Sequence, residues 1–109
     1  MVGKGGLSPK RKGDAFEAKV ATEQRRIGRW CERIRQGQGE LVDLVALESC
    51  SDAQCSLHGR VNHVYFIQCR LLGNLSAVET EQLQEEARTY NAIPLLAWKQ
   101  DGQIQYKRL

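Results

Sequence analysis

Hydrophobic and polar residues alternate along this chain with two different periods, which predict helices and extended segments in alternation. The first helical pattern covers residues 14–31. Its apolar side chains recur at the spacing of one helix face, at Phe16, Val20, Ile27 and Trp30. Asp14 and Glu17 stand three residues apart, as in a capping box. We therefore expect an amphipathic helix that begins at Asp14, ends near Cys31 and buries this face.

Extended segments follow the helix. Residues 33–36 predict a short extended piece. Residues 41–48 are apolar and β-branched and predict a strand, in which Asp43 is the only acid before the last residue. The polar stretch 49–62 predicts a hairpin loop. Residues 64–72 are almost wholly apolar, as is typical of a strand in the middle of a sheet.

The second half of the chain begins with another helix. Ser76 and Glu79 form a capping box that opens it, and the pattern continues to about Tyr90. A strand at residues 93–99, a hairpin turn at Asp101-Gly102 and a return strand at 103–108 complete the chain. The order α-β-β-β-α-β-β predicts an α/β fold: a mixed, twisted central β-sheet flanked by helices.

Length and composition fit one soluble globular domain. The chain has 109 residues, of which 41% are hydrophobic and 27% charged. It has no apolar run near the ~18 residues of a membrane span, and its basic N-terminus lacks the apolar centre of a signal peptide. We expect a cytoplasmic protein with no membrane partner. Its four cysteines are then expected to be reduced thiols.

Positive charge is concentrated in the first third of the chain. Residues 1–35 contain ten Lys or Arg and four acids, a balance of +6, whereas residues 36–109 carry −3. Residues 1–12, rich in Gly and Lys, predict a flexible basic arm before a single domain at 13–109. Such a cationic segment favours a polyanionic partner, because Lys and Arg displace counterions from phosphates. The alternative is an ordinary solvated basic face.

Asp43 is the most informative residue for chemistry. A carboxylate in an apolar strand is costly to bury unless it is paired or binds a cation; alternatively, it faces solvent on an alternating strand. In the next strand, Gln68 and Arg70 are two residues apart and so share a face. With Glu17 from the opening helix, these groups would offer the hard oxygen ligands and the cation that a Mg²⁺-dependent phosphodiesterase needs.

Several short motifs resemble those of archaeal Holliday junction resolvases, within the PD-(D/E)xK nuclease superfamily. The resemblance covers about residues 11–106, and its strength lies in the shared order and spacing of motifs that are individually weak. The matching segments are Arg11-Lys12-Gly13 followed by Glu17, Leu41-Val42-Asp43-Leu44-Val45-Ala46, Phe66-Ile67-Gln68-Cys69-Arg70, Glu81-Gln82-Leu83 and Ile93-Pro94-Leu95-Leu96-Ala97.

The resemblance implies a restriction-endonuclease-like fold, Mg²⁺ or Mn²⁺ as cofactor, branched or junction DNA as substrate, and a homodimer. It implies that Glu17, Asp43 and Gln68 are metal ligands, with Gln68 the weakest, and that Arg70 contacts water or phosphate. These four residues are the predicted catalytic set. With the basic segments, the resemblance also predicts a set of DNA-contacting residues: Lys10, Arg11, Lys12, Arg25, Arg26, Arg29, Arg35 and Gln38.

This chain departs from the family pattern at its second motif. Gln68 stands where the family has an acid, Arg70 stands where it has lysine, and Val42 often has proline as its counterpart. A Gly-Ser-Gly loop is here Gly37-Gln38-Gly39. An amide oxygen is a weaker Mg²⁺ ligand than a carboxylate, and arginine is bulkier than lysine and differently aimed. The alternative function is therefore a catalytically impaired or inactive DNA-binding module, unless Glu40 supplies a substitute ligand.

Four possible zinc ligands lie close together in the predicted hairpin loop: Cys50, Cys55, His58 and His63. Zinc accepts such Cys2His2 sets. However, their spacing matches no common zinc module, so we expect no zinc here. A zinc-stabilised interaction domain is the third functional alternative.

Overall fold

The computed structural model describes the backbone of residues 9–12 and all atoms of residues 13–34, 41–50, 54 and 60–109. Within these ranges the elements follow in chain order: α1 (Pro9–Arg26), β1 (Trp30–Arg33), β2 (Leu44–Ser49), β3 (Val61–Cys69), α2 (Ala77–Thr89), β4 (Ile93–Gln100) and β5 (Gln103–Arg108). This order confirms the predicted α/β class and the predicted succession of elements.

The strands form one mixed sheet, in which their spatial order is the same as their order along the chain. Strands β3 and β4 are parallel, and every other neighbouring pair is antiparallel. The parallel pair needs a crossover connection, which contains α2. The turn between β4 and β5 falls at Asp101 and Gly102, both with positive φ, as the Asp-Gly pair predicts.

Each helix covers a different face of the sheet, so that β3 contributes to both cores. Ile67 of β3 is buried in the α1 core, whose other fully buried members include Phe16, Val20, Cys31, Leu44 and Ala46. Phe66, its neighbour along the strand, packs with Leu83 and Ala87 of α2. The last strand also holds the first helix, because the hydroxyl of Tyr106 donates to Glu23 Oε1 at 2.6 Å.

The start of α2 agrees with the sequence prediction. Ser76 is the N-cap, and its hydroxyl accepts from the backbone N–H of Glu79 at 3.0 Å. The Glu79 carboxylate accepts in turn from the backbone N–H of Ser76 at 3.1 Å. Two of the N–H groups left unpaired at the start of the helix are thereby satisfied.

The predicted bounds of α1 are wrong at both ends. The helix begins at Pro9, so residues 9–12 belong to it rather than to the predicted arm, and residues 1–8 lie outside the described residues. Asp14 is inside the helix. Its three-residue spacing from Glu17 reflects a shared ion pair with Arg33 rather than a cap. At the other end, the helix stops at Arg26 and the short extended segment lies at Trp30–Arg33.

The earlier helix end also overturns the predicted burial of Ile27 and Trp30, which are 55% and 54% exposed. Both residues lie beyond the helix, so its period no longer determines which way they face. Trp30 opens β1, where the alternation of a strand buries its neighbour Cys31 instead.

Strands β2 and β3 are shifted relative to their predicted bounds. Strand β2 begins at Leu44, which places Asp43 directly before it, and β3 covers Val61–Cys69 rather than 64–72. Most of the predicted loop at 49–62 lies outside the described residues. None of the helices in the described ranges is long and apolar enough to cross a membrane.

Candidate functional site

Asp43 is fixed at the entrance to β2 by contacts with β3. Its backbone N–H donates to Ile67 O at 2.9 Å, and its Oδ2 accepts from the backbone N–H of Cys69 at 2.8 Å. Asp43 therefore bonds to residues on both sides of Gln68. Its half-buried carboxylate contradicts the alternative of a solvent-facing acid on an alternating strand.

Burial raises the pKa of Asp43 to about 6, because water stabilises its charged form less well there. The hydrogen bond from Cys69 N–H opposes this rise in pKa. The negative charge of Glu17 raises the pKa further, whereas Arg70 and Arg33 lower it. Glu17 and Arg70 therefore both lie within electrostatic reach of Asp43.

Glu17 reaches this site from the middle of α1, but its carboxylate is already paired. Arg33 donates to Glu17 Oε1 from Nε at 3.3 Å and from Nη2 at 3.0 Å. The same Nη2 donates to Asp14 Oδ1 at 3.1 Å. Asp14 and Glu17 lie almost one helical turn apart and therefore face the same arginine. A cation supplied by β1 thus neutralises part of the acidic charge.

Gln68 is 7% exposed, and its Oε1 has no hydrogen-bond partner in the described part of the chain. A buried acceptor without a donor costs about 1–3 kcal/mol. The alternation of β3 places Gln68 on the face of Phe66, the face that α2 covers. No hydrogen bond links its side chain to Asp43 or Glu17 among the described residues. Gln68 therefore has a buried oxygen that no described group uses.

Arg70 follows β3 and is held by α2. Its Nη2 donates to Glu79 Oε2, so the carboxylate that completes the capping box with Ser76 also binds Arg70. The backbone hydrogen bond from Ser76 and the charge of Arg70 lower the pKa of Glu79. The Arg70 Nε is buried and has no partner among the described residues. The capping box therefore fixes the direction of the guanidinium group.

Oxygen donors at this site suit a hard divalent cation. Among the residues that the structure describes, no group of three or more His, Cys, Asp and Glu side chains is arranged to hold a metal. Glu17 and Asp43 supply two carboxylates, and the unpaired Gln68 Oε1 is the available third oxygen. A cation would pair this oxygen and offset the charge that raises the Asp43 pKa. The residues fit such an ion, in competition with Arg33.

The predicted DNA-contacting residues Arg25 and Arg26 lie away from this site. Arg25 and Arg26 are in the last turn of α1, about 13 Å along the helix from Glu17. Arg25 donates to Cys31 O at 2.7 Å and to Glu32 at 3.3 Å. Arg26 is exposed. A cationic surface therefore remains at this end of α1, but Arg25 is partly engaged within the protein.

Arg29 is an integral part of the fold. It donates to Gln24 Oε1 at 2.7 Å and to Glu48 Oε2 at 3.3 Å, and its guanidinium carbon lies 4.1 Å from the centre of the Tyr65 ring. These contacts use both its charge and its planar surface. Arg29 therefore links α1 to β2 and β3.

Several predicted residues cannot be placed. The side chains of Lys10, Arg11 and Lys12 lie outside the described residues, although their backbone belongs to the first turn of α1. The whole of the predicted glycine loop and its neighbours also lies outside them, including Arg35, Gln38 and Glu40.

The predicted zinc loop is described only at its edges, because Cys55 and His58 lie outside the described residues. Cys50 is a free thiol, and His63 Nδ1 lies 2.8 Å from Glu48 Oε1. Burial of Glu48 acts to raise its pKa, but hydrogen bonds from His63, Arg29 and Tyr65 outweigh it and lower the pKa.

Sequence reasoning missed two residues that act on the site, Arg33 and Glu79. Glu79 was recognisable as a cap, but its second role depends on where Arg70 lies in space. The two acids at Asp14 and Glu17 were a usable signal for Arg33, since a pair one turn apart attracts a cation.

Comparison with known proteins identifies this fold. No protein-family model matches the chain, and no curated protein matches it. Among solved structures, Hjc of Archaeoglobus fulgidus, a Holliday junction resolvase from an archaeal hyperthermophile, is similar with a TM-score of 0.66. The two sequences are 24% identical, and the match covers 89% of this chain and 72% of that chain. The chain has the fold of that resolvase.

Proposed function

We propose that this protein binds branched DNA and hydrolyses phosphodiester bonds as a metal-dependent endonuclease of the junction-resolvase type. One observation carries the proposal: the half-buried Asp43 carboxylate lies within electrostatic reach of both the acid Glu17 and the cation Arg70. The similar fold of the archaeal resolvase and the basic first third of the chain support the same function. Paired cuts on a junction with two-fold symmetry need a homodimer.

Glu17, Asp43 and Gln68 would hold Mg²⁺ or Mn²⁺. The bound ion would lower the pKa of water and offset the charge that develops on the phosphate. Arg70 would contact the phosphate through a guanidinium group whose orientation Glu79 fixes. Arg33 would release Glu17 when the ion binds. Each of these roles uses a group whose position in the fold is described above.

A second candidate, DNA binding without cleavage, is favoured by the ion pair between Arg33 and Glu17 and by the neutral amide of Gln68. Together they leave the site with less free negative charge than three carboxylates would supply. A metal ion would then be held too weakly to act, while the basic surface would still attract DNA phosphates.

Cleavage of labelled four-way junction, flap and linear duplex DNA, with Mg²⁺ or Mn²⁺, tests the proposal. We expect nicking of the junction that disappears in the isosteric Asp43→Asn variant and on addition of a chelator. The Arg88→Gln variant, which disrupts an exposed ion pair on α2, is the matched control and should cut normally. If the parent binds the junction tightly but cuts none of these DNAs, the endonuclease proposal is rejected in favour of DNA binding without cleavage.

A further inference from the structure

An open groove with an exposed tryptophan lies at the end of the sheet away from Asp43. We call it the Trp30 groove; its lining comprises Gly28, Trp30, Leu47, Ser49 and Val61. Its volume is about 350 Å³. Trp30 and Val61 are each 54% exposed, so the groove presents an indole ring beside an aliphatic side chain. Nothing in the candidate site uses these residues.

Two exposed arginines lie close along the chain to residues that line this groove. Arg26 comes two residues before Gly28, and Arg60 comes directly before Val61; both are exposed and make no ion pair among the described residues. Glu48 is paired with Arg29 and Glu32 with Arg25, while Glu23, three residues before Arg26, accepts from the Tyr106 hydroxyl. The exposed charges of Arg26 and Arg60 suit an anionic ligand.

The groove is a poor fit for a second copy of this chain. Five described residues line it, whereas a stable protein interface engages about 20–30 residues on each side. Addition of a strand at this edge is also disfavoured, because β1 is four residues long and exposes the charged residues Glu32 and Arg33.

An aromatic face with flanking cations is the arrangement that binds single-stranded nucleic acid, where bases stack on the ring and phosphates contact the cations. We infer that the Trp30 groove stacks an unpaired base of a DNA strand, with Arg26 and Arg60 contacting the adjacent phosphates. The inference rests on the proposed binding of DNA and adds to it a preference for unpaired bases.

The position of the groove sets the distance between this base and the candidate site. Asp43 directly precedes β2 and Ser49 ends it, so the two lie six residues apart, which corresponds to about 20 Å along the strand. At about 3.4 Å per stacked nucleotide, the base would lie roughly six nucleotides from the phosphate at Asp43. Junctions with an unpaired segment at that distance are therefore the preferred ligands.

Fluorescence of Trp30 tests the inference directly. In a Trp98→Phe background Trp30 is the sole tryptophan of the chain. A twelve-residue oligothymidylate should quench its emission in a saturable way, and a duplex of equal length should quench it much less. In the same assay, read by anisotropy of a labelled oligonucleotide, Trp30→Ala should weaken binding about tenfold and Trp30→Phe should retain most of the affinity. Circular dichroism checks that both variants fold.

Saturable oligonucleotide binding with unchanged Trp30 emission and unchanged affinity in Trp30→Ala would overturn the inference and leave the proposed DNA binding intact. A change in Trp30 emission on raising the protein concentration without DNA, matched by dimer formation that Trp30→Ala abolishes, would also overturn it in favour of a second copy. Quenching by the oligonucleotide in a protein that cuts no DNA would support the inference and reject only the nuclease.

Discussion

Arg33 binds Glu17 through both Nε and Nη2, at 3.3 and 3.0 Å from the same carboxylate oxygen. An arginine from β1 therefore lies where a metal ion would need free negative charge. The pair is partly exposed, so its removal should change the free energy of unfolding by no more than about 1 kcal/mol. Its main effect is on the charge available to a cation.

We expect Arg33→Gln to bind Mn²⁺ several times more tightly than the parent, because the Glu17 carboxylate is then free. Titration followed by the paramagnetic broadening of amide resonances around Asp43 measures this affinity. Arg88→Gln, which disrupts an ion pair with Glu85 far from the site, should bind Mn²⁺ like the parent. Equal Mn²⁺ affinity in all three proteins would mean that Arg33 does not compete with the ion.

The raised pKa of Asp43 predicts a pH-dependent stability. Its pKa is about 6 in the folded protein and near the ordinary 3.8 when unfolded, so the folded state prefers the protonated form. The contribution of protonated Asp43 to the free energy of unfolding is complete below pH 4 and is lost as the pH rises to 6. Above pH 6, ionisation of Asp43 should cost up to about 3 kcal/mol.

Urea unfolding of the parent and of Asp43→Asn at pH 4.5 and pH 7.5 measures this cost. Asparagine keeps an oxygen for the Cys69 N–H but cannot ionise. We therefore expect the variant to be the more stable protein at pH 7.5 and to show the smaller change between the two pH values. A parent that loses no more stability than the variant over this interval would show that Asp43 is not destabilised by burial.

Gln68→Glu should destabilise the metal-free protein and make its stability depend on Mg²⁺. The side chain is buried and its Oε1 has no partner among the described residues, so a new charge there should cost more than the ~1–3 kcal/mol of an unpaired neutral group. Bound Mg²⁺ should restore this loss by pairing with the carboxylate. Thermal melting with and without Mg²⁺ measures both effects.

Gln68→Glu combined with Arg70→Lys should raise the Mg²⁺-dependent nicking rate at least tenfold, about 1.4 kcal/mol in the barrier. The gain should require intact Glu17 and Asp43, because all four groups would serve one ion and one water. Arg70→Lys alone should change little, since the ion remains poorly held. A restored double variant that cuts more slowly than an active parent would mean that Gln68 and Arg70 belong to a different catalytic arrangement.

Substitution of Arg29 should mainly lower stability, whereas substitution of Arg26 should mainly weaken DNA binding, although both residues were predicted to contact DNA. Arg29→Ala should lower the free energy of unfolding by about 1–3 kcal/mol, because its contacts with Gln24, Glu48 and Tyr65 are lost. Arg26→Ala should leave stability nearly unchanged and weaken DNA binding, with a shallower dependence of affinity on salt. Urea unfolding and anisotropy titrations at several salt concentrations separate the two effects.

The sequence predicted the order of the elements because each apolar run had a clear period and end. Ser76 and Glu79 were recognised as a cap from their spacing alone. The same spacing at Asp14 and Glu17 misled, since only the folded chain shows that Arg33 binds both. The burial of Trp30 was predicted wrongly for a related reason. The helix ends at Arg26, and beyond that residue the helical period does not predict which side chains are buried.

The candidate site was predictable in part. The strand pattern placed Asp43 beside the segment that contains Gln68 and Arg70, and the fold brings Glu17 to the same region. What the pattern could not show was the pairing of these groups with Arg33 and Glu79, which come from β1 and α2. Such pairs depend on how elements pack, and local sequence carries no record of that.

The hydrogen bond between Tyr106 and Glu23 joins residues 83 positions apart. A ribosome that adds about 5–20 residues per second needs roughly 4–17 s to make the intervening chain. Throughout that interval α1, with its row of basic residues, has emerged without the strand that later anchors it. The nascent protein therefore presents a cationic helix to cellular polyanions well before its last strand forms the contact with Glu23.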